Sequence, residues 1–204
     1  MKKQISIFGK STVKESKKSY QIIKEVAQRL VLEGCICMHG GYSGGVMQAV
    51  ADGAQLAIQE NHLDPGLNIG VPEQRFDKKW PRVPFATFTE PASDIYDRLR
   101  TLMTSDVFIV APDGGEGTFL ELDIAIHENS INQLLGKPTK PIICLEGEDK
   151  KWTNLFISRL RYLDISKREE GQYPWISFID CSGYGVSELV DIIVNKINHI
   201  DWSM

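Results

Sequence analysis

Seven short apolar runs recur along the chain, and they restrict its fold more than any other feature. Most are continuously apolar rather than alternating, as is typical of strands buried on both faces of a parallel sheet. The segments between them have helical periodicity. This order predicts an α/β fold, a Rossmann-like doubly wound and mostly parallel sheet with helices on both faces. The predicted strands are residues 4–8, 35–39, 67–71, 86–89, 107–111, 141–145 and 176–180.

The helical segments complete the alternation of strand and helix. In residues 14–33 the apolar positions fall on one helical face, and Gly34 follows as a stop signal. Residues 61–84 are irregular apart from their one apolar run, rich in proline and cations, and are interpreted either as a lid or binding loop or as a surface excursion. We expect one nucleotide-binding domain over residues 1–204. The other predicted helices are residues 45–60, 94–104, 117–135, 151–162 and 186–200.

Charge and hydropathy exclude several classes of partner. The chain has 23 Lys and Arg against 27 Asp and Glu, with no long block of either sign, which disfavours nucleic acid as a main partner. Its apolar stretches are far shorter than the roughly 20 residues that span a bilayer. The first residues lack the apolar core of a signal peptide. We therefore expect a cytoplasmic protein without membrane contact, whose four cysteines are buried thiols.

Three polar or glycine-rich turns follow predicted strands and are expected to open helices. They are residues 9–12, 40–45 and 113–118. The carboxyl ends of parallel strands share one rim, where ligands bind. Glycines let the backbone approach a ligand, and helix N-termini favour phosphate, so the turns predict an anionic ligand such as a nucleotide. The first turn lacks the upstream glycine of a P-loop, and neither of the others matches a dinucleotide-binding fingerprint, which argues against an ATPase and an oxidoreductase.

The third turn carries the clearest candidate for catalysis. Glu121 follows Gly117 and Thr118 by one helical turn, so its carboxylate faces back toward the turn. There it can stabilise positive charge on a sugar or relay a proton, whereas an acid that merely complements the helix dipole fits Glu116 better. His39, at a strand end, is interpreted either as a ligand contact or as a structural hydrogen-bonding group. The histidine spacings predict no metal site.

These residues resemble the LOG family of lysine-decarboxylase-like proteins. The family motif P-G-G-x-G-T-x-x-E corresponds to residues 113–121, and a second block, G-G-x-x-x-G-V-M followed by G-A, corresponds to residues 40–54. The turn at residues 9–11 and the pair Asp97-Arg98 resemble the remaining pieces. The resemblance extends over residues 5–145.

The resemblance implies an activity and roles for individual residues. Family members with the full motif are nucleoside 5′-monophosphate phosphoribohydrolases, which release a free base and ribose 5-phosphate without a metal or other cofactor. They are homodimers with the active site near the subunit interface. By resemblance, Glu121 stabilises the oxocarbenium-like transition state and Arg98 engages the substrate. The implied phosphate- or nucleotide-binding residues are Gly114, Gly115, Gly117, Thr118, Gly40, Gly41, Ser43, Gly9 and Ser11.

The sequence departs from the family pattern at three positions. Asp113 replaces the motif's proline, Tyr42 replaces a glycine, and Leu99 replaces a lysine. Arg100 is an alternative to Arg98 as the family arginine. Two binding functions stand beside the hydrolase: a molybdenum-cofactor carrier, since such carriers share the turns, and a nucleotide sensor. The identity of the base is left open.

Overall fold

The computed structural model describes residues 2–162 and 173–200. Within them, seven parallel strands form one sheet in the order β4-β3-β2-β1-β5-β6-β7. The strand β5 is buried along its whole length, as its continuously apolar sequence predicts, and β6 is buried throughout as well, including its last residue, Glu146. The strands are β1 (Gln4–Phe8), β2 (Ile36–His39), β3 (Asn68–Gly70), β4 (Thr87–Phe88), β5 (Val107–Val110), β6 (Ile142–Glu146) and β7 (Ile176–Asp180).

Helices cover both faces of this sheet. One core cluster packs α1, α2 and α7 against one face, and a second packs α4, α5 and α6 against the other. The predicted Rossmann-like doubly wound fold is therefore confirmed. None of the helices described is both long and apolar enough to cross a membrane. The helices are α1 (Lys18–Leu32), α2 (Gly45–Asn61), α3 (Gln74–Asp77), α4 (Ile95–Leu102), α5 (Glu116–Leu134), α6 (Lys151–Tyr162) and α7 (Val186–Asn198).

The central strand β1 is the topological switch point of the sheet. Strands β2, β3 and β4 extend the sheet on one side of β1, and β5, β6 and β7 extend it on the other. Ile5 is in register with Cys37 of β2 on one side and with Val107 of β5 on the other. The crevice beyond the carboxyl ends of such a strand pair is where open α/β sheets bind ligands. Here the N–H of Lys10 donates to the carbonyl of Asp113 at 2.8 Å, so the turns after β1 and β5 are joined directly.

Two predictions from the sequence are wrong in detail. The first helix begins at Lys18 rather than at residue 14, so the turn at residues 9–12 does not open a helix. Instead it crosses the start of α2, where the N–H of Val46 donates to the carbonyl of Lys10 at 3.0 Å. The segment of residues 61–84 is also more regular than expected, since it holds a 3-10 turn (Pro65–Leu67), β3 and α3.

All four cysteines are buried free thiols, as predicted. Burial raises the pKa of each thiol. A raised thiol pKa lowers the fraction of reactive thiolate, which fits a packing role for Cys35, Cys37, Cys144 and Cys181.

Candidate functional site

The N-terminus of α5 is the most open anion-binding feature at this rim. The helix starts with a bond from the N–H of Phe119 to the carbonyl of Gly115 at 2.9 Å. Among residues 2–162 and 173–200, no acceptor pairs with the N–H groups of Glu116, Gly117 and Thr118. A Cβ added at Gly115 or Gly117 would meet no atom within 4 Å. Three unpartnered donors on a helix dipole, beside open space, suit a phosphate.

Two residues of α6, Lys151 and Trp152, hold the backbone of this turn in place. The side chain of Trp152 is fully buried, and its Nε1 donates to the carbonyl of Ala111 at 3.0 Å. A Cβ on Gly114 would lie 2.3 Å from the Trp152 ring, so only glycine fits there. Lys151 Nζ donates to the carbonyl of Gly114 at 2.6 Å. The apolar helical pattern of residues 151–162 predicted a helix there but gave no sign of these two contacts.

Thr118 and Asp113 fix the shape of the turn. Thr118 is buried, and its Oγ1 accepts a hydrogen bond from the N–H of Gly115 at 3.4 Å. The carboxylate of Asp113, which replaces the motif's proline, accepts a hydrogen bond from the hydroxyl of Ser19 at the start of α1. The carboxylate at this position is thus hydrogen-bonded to the first turn of α1.

Glu121 lies one turn into α5, buried beneath the open N-terminus. Burial raises the pKa of its carboxyl group to about 7, and the nearby Arg98 guanidinium opposes part of that rise. Within the part of the chain that the structure describes, no hydrogen bond reaches this carboxyl group. An acid whose pKa is raised by burial and acted on by a specific cation is characteristic of functional sites.

Arg98 projects from α4 toward the turn after β2. Its Nε donates to the carbonyl of Val71 at 3.0 Å, and its Nη2 donates to the carbonyl of Gly40 at 3.4 Å. Arg100 is exposed and pairs with Asp97 on the surface of α4, with Nη1 to Oδ1 at 3.3 Å. Of the two candidate arginines, Arg98 is the one whose charge acts on Glu121.

The turn after β2 is held by a neutral histidine. The Nδ1 of His39 accepts a hydrogen bond from the N–H of Gly41 at 3.1 Å, so the proton is on Nε2, which faces Oδ1 of Asn68 at 3.1 Å. Burial lowers the pKa of His39 to about 4. Gly41 has a φ of +84°, which glycine adopts without strain. Of the two interpretations of His39, the structural one fits these contacts.

Tyr42 and Ser43 point away from the open rim. The Tyr42 hydroxyl accepts a hydrogen bond from the N–H of Glu73 at 2.7 Å. The Ser43 hydroxyl donates to the carbonyl of Arg82 at 2.9 Å, and the Ser43 N–H donates to that of Pro81 at 2.8 Å. Both residues therefore fasten the segment of residues 73–83 over the sheet edge, so Ser43 does not offer its donors to a ligand.

Gly9 and Ser11 shape the rim through packing. A Cβ on Gly9 would lie 2.4 Å from a methyl carbon of Val46, and one on Gly44 would lie 2.9 Å from the Ser11 carbonyl. Because the loop after β1 lies across the start of α2, that helix N-terminus is less accessible than the N-terminus of α5. The described residues contain no group of three or more His, Cys, Asp or Glu side chains that could hold a metal ion.

Fold and site together define a Rossmann-like α/β protein with a LOG-type glycine turn at the point where the sheet reverses direction. The chain belongs to the SLOG cluster4 family, whose model matches residues 2–159. This confirms the resemblance noted in the sequence at the level of the LOG-like superfamily. Among curated proteins, no relative matches the chain.

Solved structures share the fold at low sequence identity. The molybdenum cofactor binding protein from Rippkaea orientalis has a TM-score of 0.63 and 20% identity, with 97% of this chain and 98% of that one covered. The molybdenum cofactor carrier protein from Chlamydomonas reinhardtii has a TM-score of 0.61 and 18% identity, with 97% and 99% covered. DNA processing protein A from Helicobacter pylori, described with a single-stranded DNA binding mode, has a TM-score of 0.53 and 14% identity, with 95% and 81% covered.

Proposed function

We propose that the protein is a nucleoside 5′-monophosphate phosphoribohydrolase, which hydrolyses the N-glycosidic bond to a free base and ribose 5-phosphate. The observation that carries this proposal is the placement of Glu121. Its side chain is 9% exposed and makes no hydrogen bond among the described residues, and the cation of Arg98 acts on it electrostatically. It also lies on the helix whose first three N–H groups are open to an anion.

Substrate binding begins with the 5′-phosphate. The N–H groups of Glu116, Gly117 and Thr118 bind its oxygens at the positive end of the helix dipole. Lys151 holds the Gly114 carbonyl on the side of α6 and thereby keeps that negative group off the phosphate. Because Glu121 follows the turn on the same helix face, the ribose bound to this phosphate lies beside its carboxylate.

The reaction breaks the bond between C1′ of the ribose and a nitrogen of the base. The electron pair leaves with the base, positive charge develops on the ribose, and the ionised Glu121 stabilises it. Water then bonds to C1′, and its proton balances the charge acquired by the base. Arg98, whose Nε and Nη2 are bonded to backbone carbonyls, presents its remaining nitrogen to the substrate.

A carrier function is the second candidate. Two molybdenum-cofactor proteins share this fold over nearly their whole length, and an anion site at the α5 N-terminus also suits the phosphate of a pterin cofactor. In that case Glu121 and Arg98 contact the ligand without turning it over. Sequence identity of 20% or less leaves the hydrolase as our first proposal, because fold alone does not fix function.

Incubation of the purified protein with a panel of nucleoside 5′-monophosphates tests the first proposal. The panel includes AMP and its N6-isopentenyl analogue, and chromatography follows the base and ribose 5-phosphate. We expect equimolar release of both products, which Glu121→Gln, a change that preserves side-chain shape, abolishes. If no member of the panel is cleaved while nucleotides still bind, the hydrolase proposal is wrong and the carrier takes its place.

We also propose a homodimer, as the LOG resemblance implies. The outer face of α5 exposes Phe119, Leu120, Ile131 and Leu134, and Leu135, directly after the helix, is exposed as well. Exposed apolar groups on one helix face are typical of an interface. The same helix carries Glu121, so a dimer formed through α5 places the active site close to the partner subunit.

A further inference from the structure

The segment of residues 72–84 forms a wall over the carboxyl ends of β2 and β3. It is fastened to the turn after β2 by an antiparallel bridge between Tyr42 and Arg82. On either side of this bridge, Ser43 N–H donates to the carbonyl of Pro81 at 2.8 Å, and Val83 N–H donates to that of Gly41 at 3.0 Å. The wall is therefore continuous with the turn at which Arg98 is anchored.

An aromatic cluster occupies this wall. The rings of Phe76 and Trp80 have centroids 4.8 Å apart, and that of Tyr42 lies 6.1 Å from Phe76 and 6.3 Å from Trp80. Tyr42 is buried, whereas Trp80 is 44% exposed. The ammonium of Lys79 lies 5.1 Å from the centroid of the Trp80 ring. Trp80 is thus partly packed and partly accessible, next to a cationic side chain.

The spacing of the strands relates this cluster to the proposed phosphate site. The α5 N-terminus follows β5, which is separated from β2 by β1 alone. Two steps across a sheet amount to about 9.5 Å. A mononucleotide whose phosphate lies over β5 therefore has its ribose over β1, beside Glu121, and its base over β2 and β3, where Arg98 bonds to Gly40 and Val71.

We infer that Trp80 is a substrate-binding residue that stacks on the base of a nucleoside monophosphate, with the wall of residues 72–84 forming the base subsite. The inference rests on the proposed nucleotide site and deepens it. Base–aromatic stacking accepts any flat ring. The subsite therefore favours a nucleotide that carries a base over ribose 5-phosphate, which has none.

Calorimetric titration with AMP and with ribose 5-phosphate separates the base from the rest of the ligand. The full chain carries Glu121→Gln so that AMP is not consumed, and Trp80→Ala, Trp80→Phe and Phe85→Ala are each added to it. Phe85 is the matched control, because it is an exposed aromatic residue on the same stretch and lies outside the cluster. Circular dichroism verifies that each variant is folded.

We expect Trp80→Ala to weaken AMP binding at least about fivefold, the loss expected for one stacked base, and to leave ribose 5-phosphate binding unchanged. Trp80→Phe retains most of the affinity and Phe85→Ala all of it. Equal AMP affinity in Trp80→Ala and its parent overturns the inference, as does an equal loss for both ligands. Failure of the proposed hydrolysis shows separately, as an absence of base release by the unmodified protein with AMP binding intact.

Discussion

Nη2 of Arg98 occupies the space in which a side chain at Gly40 would begin. A Cβ at residue 40 would lie 2.2 Å from that nitrogen and 2.5 Å from Sδ of Met47. The glycine therefore lets the guanidinium reach the backbone carbonyls of Gly40 and Val71 and remain beside Glu121. The first glycine of the second family block thus acts through an arginine that lies almost sixty residues later in the chain.

Substitution of Gly40 tests this relationship. In Gly40→Ala the guanidinium must shift, and misplacement of about 1 Å at a reacting centre costs up to about a hundredfold in rate. We expect kcat/KM for base release to fall by at least about tenfold. The melting temperature changes little, because both clashing atoms are ends of flexible side chains. Gly183→Ala, which meets no atom within 4 Å, is the control, and full activity in Gly40→Ala would contradict the expectation.

Substitution of Gly117 tests whether stability and ligand binding can change in opposite directions. Its position in the first turn of α5 has room for a methyl group, and alanine favours helix by up to about 1 kcal/mol over glycine. We expect Gly117→Ala to raise the free energy of unfolding in urea while weakening ribose 5-phosphate binding, since the methyl group occupies space that the phosphate uses. Unchanged affinity for ribose 5-phosphate in a stabilised Gly117→Ala variant would show that the phosphate does not bind at this turn.

The raised pKa of Glu121 predicts how stability depends on pH. In the folded protein the pKa is about 7, against an ordinary value of 4.5, so between these values the folded state binds more protons than the unfolded state. Stability therefore falls as pH rises from about 4.5 to 7. Urea unfolding of Glu121→Gln should lack this component and give a variant more stable than the parent at pH 8, by an amount on the order of 3 kcal/mol. If the free energy of unfolding changes with pH in the same way in parent and Glu121→Gln, this prediction is wrong.

The same group governs the pH dependence of activity. An ionised Glu121 is required in the proposed reaction, so kcat/KM should rise with pH through about 7. Arg98 favours the ionised form, and Arg98→Met should therefore move the rising limb to higher pH, while Arg98→Lys, which retains the charge, moves it less. Carbon NMR of the Glu121 carboxyl group measures the same shift without turnover. A limb that stays fixed in Arg98→Met would show that the two groups are uncoupled.

The outer face of α5 provides a test of assembly. Leu134 is 67% exposed, and a glutamate there would be buried without a partner in a dimer formed through this helix. We expect light scattering to give a dimer for the parent and a monomer for Leu134→Glu. Leu32→Glu, a similar change at an exposed leucine of α1 on the other face of the sheet, should remain dimeric. A monomeric parent would remove the basis for a dimer.

Hydrophobic pattern was sufficient to predict the sheet and its helices. The boundaries of α6 agree to the residue, and those of α2, α5 and β6 to within one. The start of α1 was not predictable in this way, because residues 14–17 are compatible with a helix. They lie outside it because the loop before them is held by other backbone hydrogen bonds. The N–H of Lys10 donates to the carbonyl of Asp113, and the carbonyl of Lys10 accepts from the N–H of Val46.

Individual roles at the site were harder to predict than its location. The Arg98 cation acts on Glu121, and Gly115 and Gly117 border open space. Ser43 is turned toward Arg82, and Lys151 reaches Gly114 from a helix that carries no motif. Such contacts depend on which segments meet in three dimensions, and a single sequence does not record that.

The pairing of β1 with β5 has a consequence for synthesis of the protein on the ribosome. Gln4 donates its N–H to the side chain of Asp106, a residue 102 positions later, so one edge of β1 has no partner until those 102 residues have been translated. An open strand edge invites pairing with other chains. That edge stays open to pairing until β5 has been made, and the ligand crevice between β1 and β5 forms only when β5 joins the sheet.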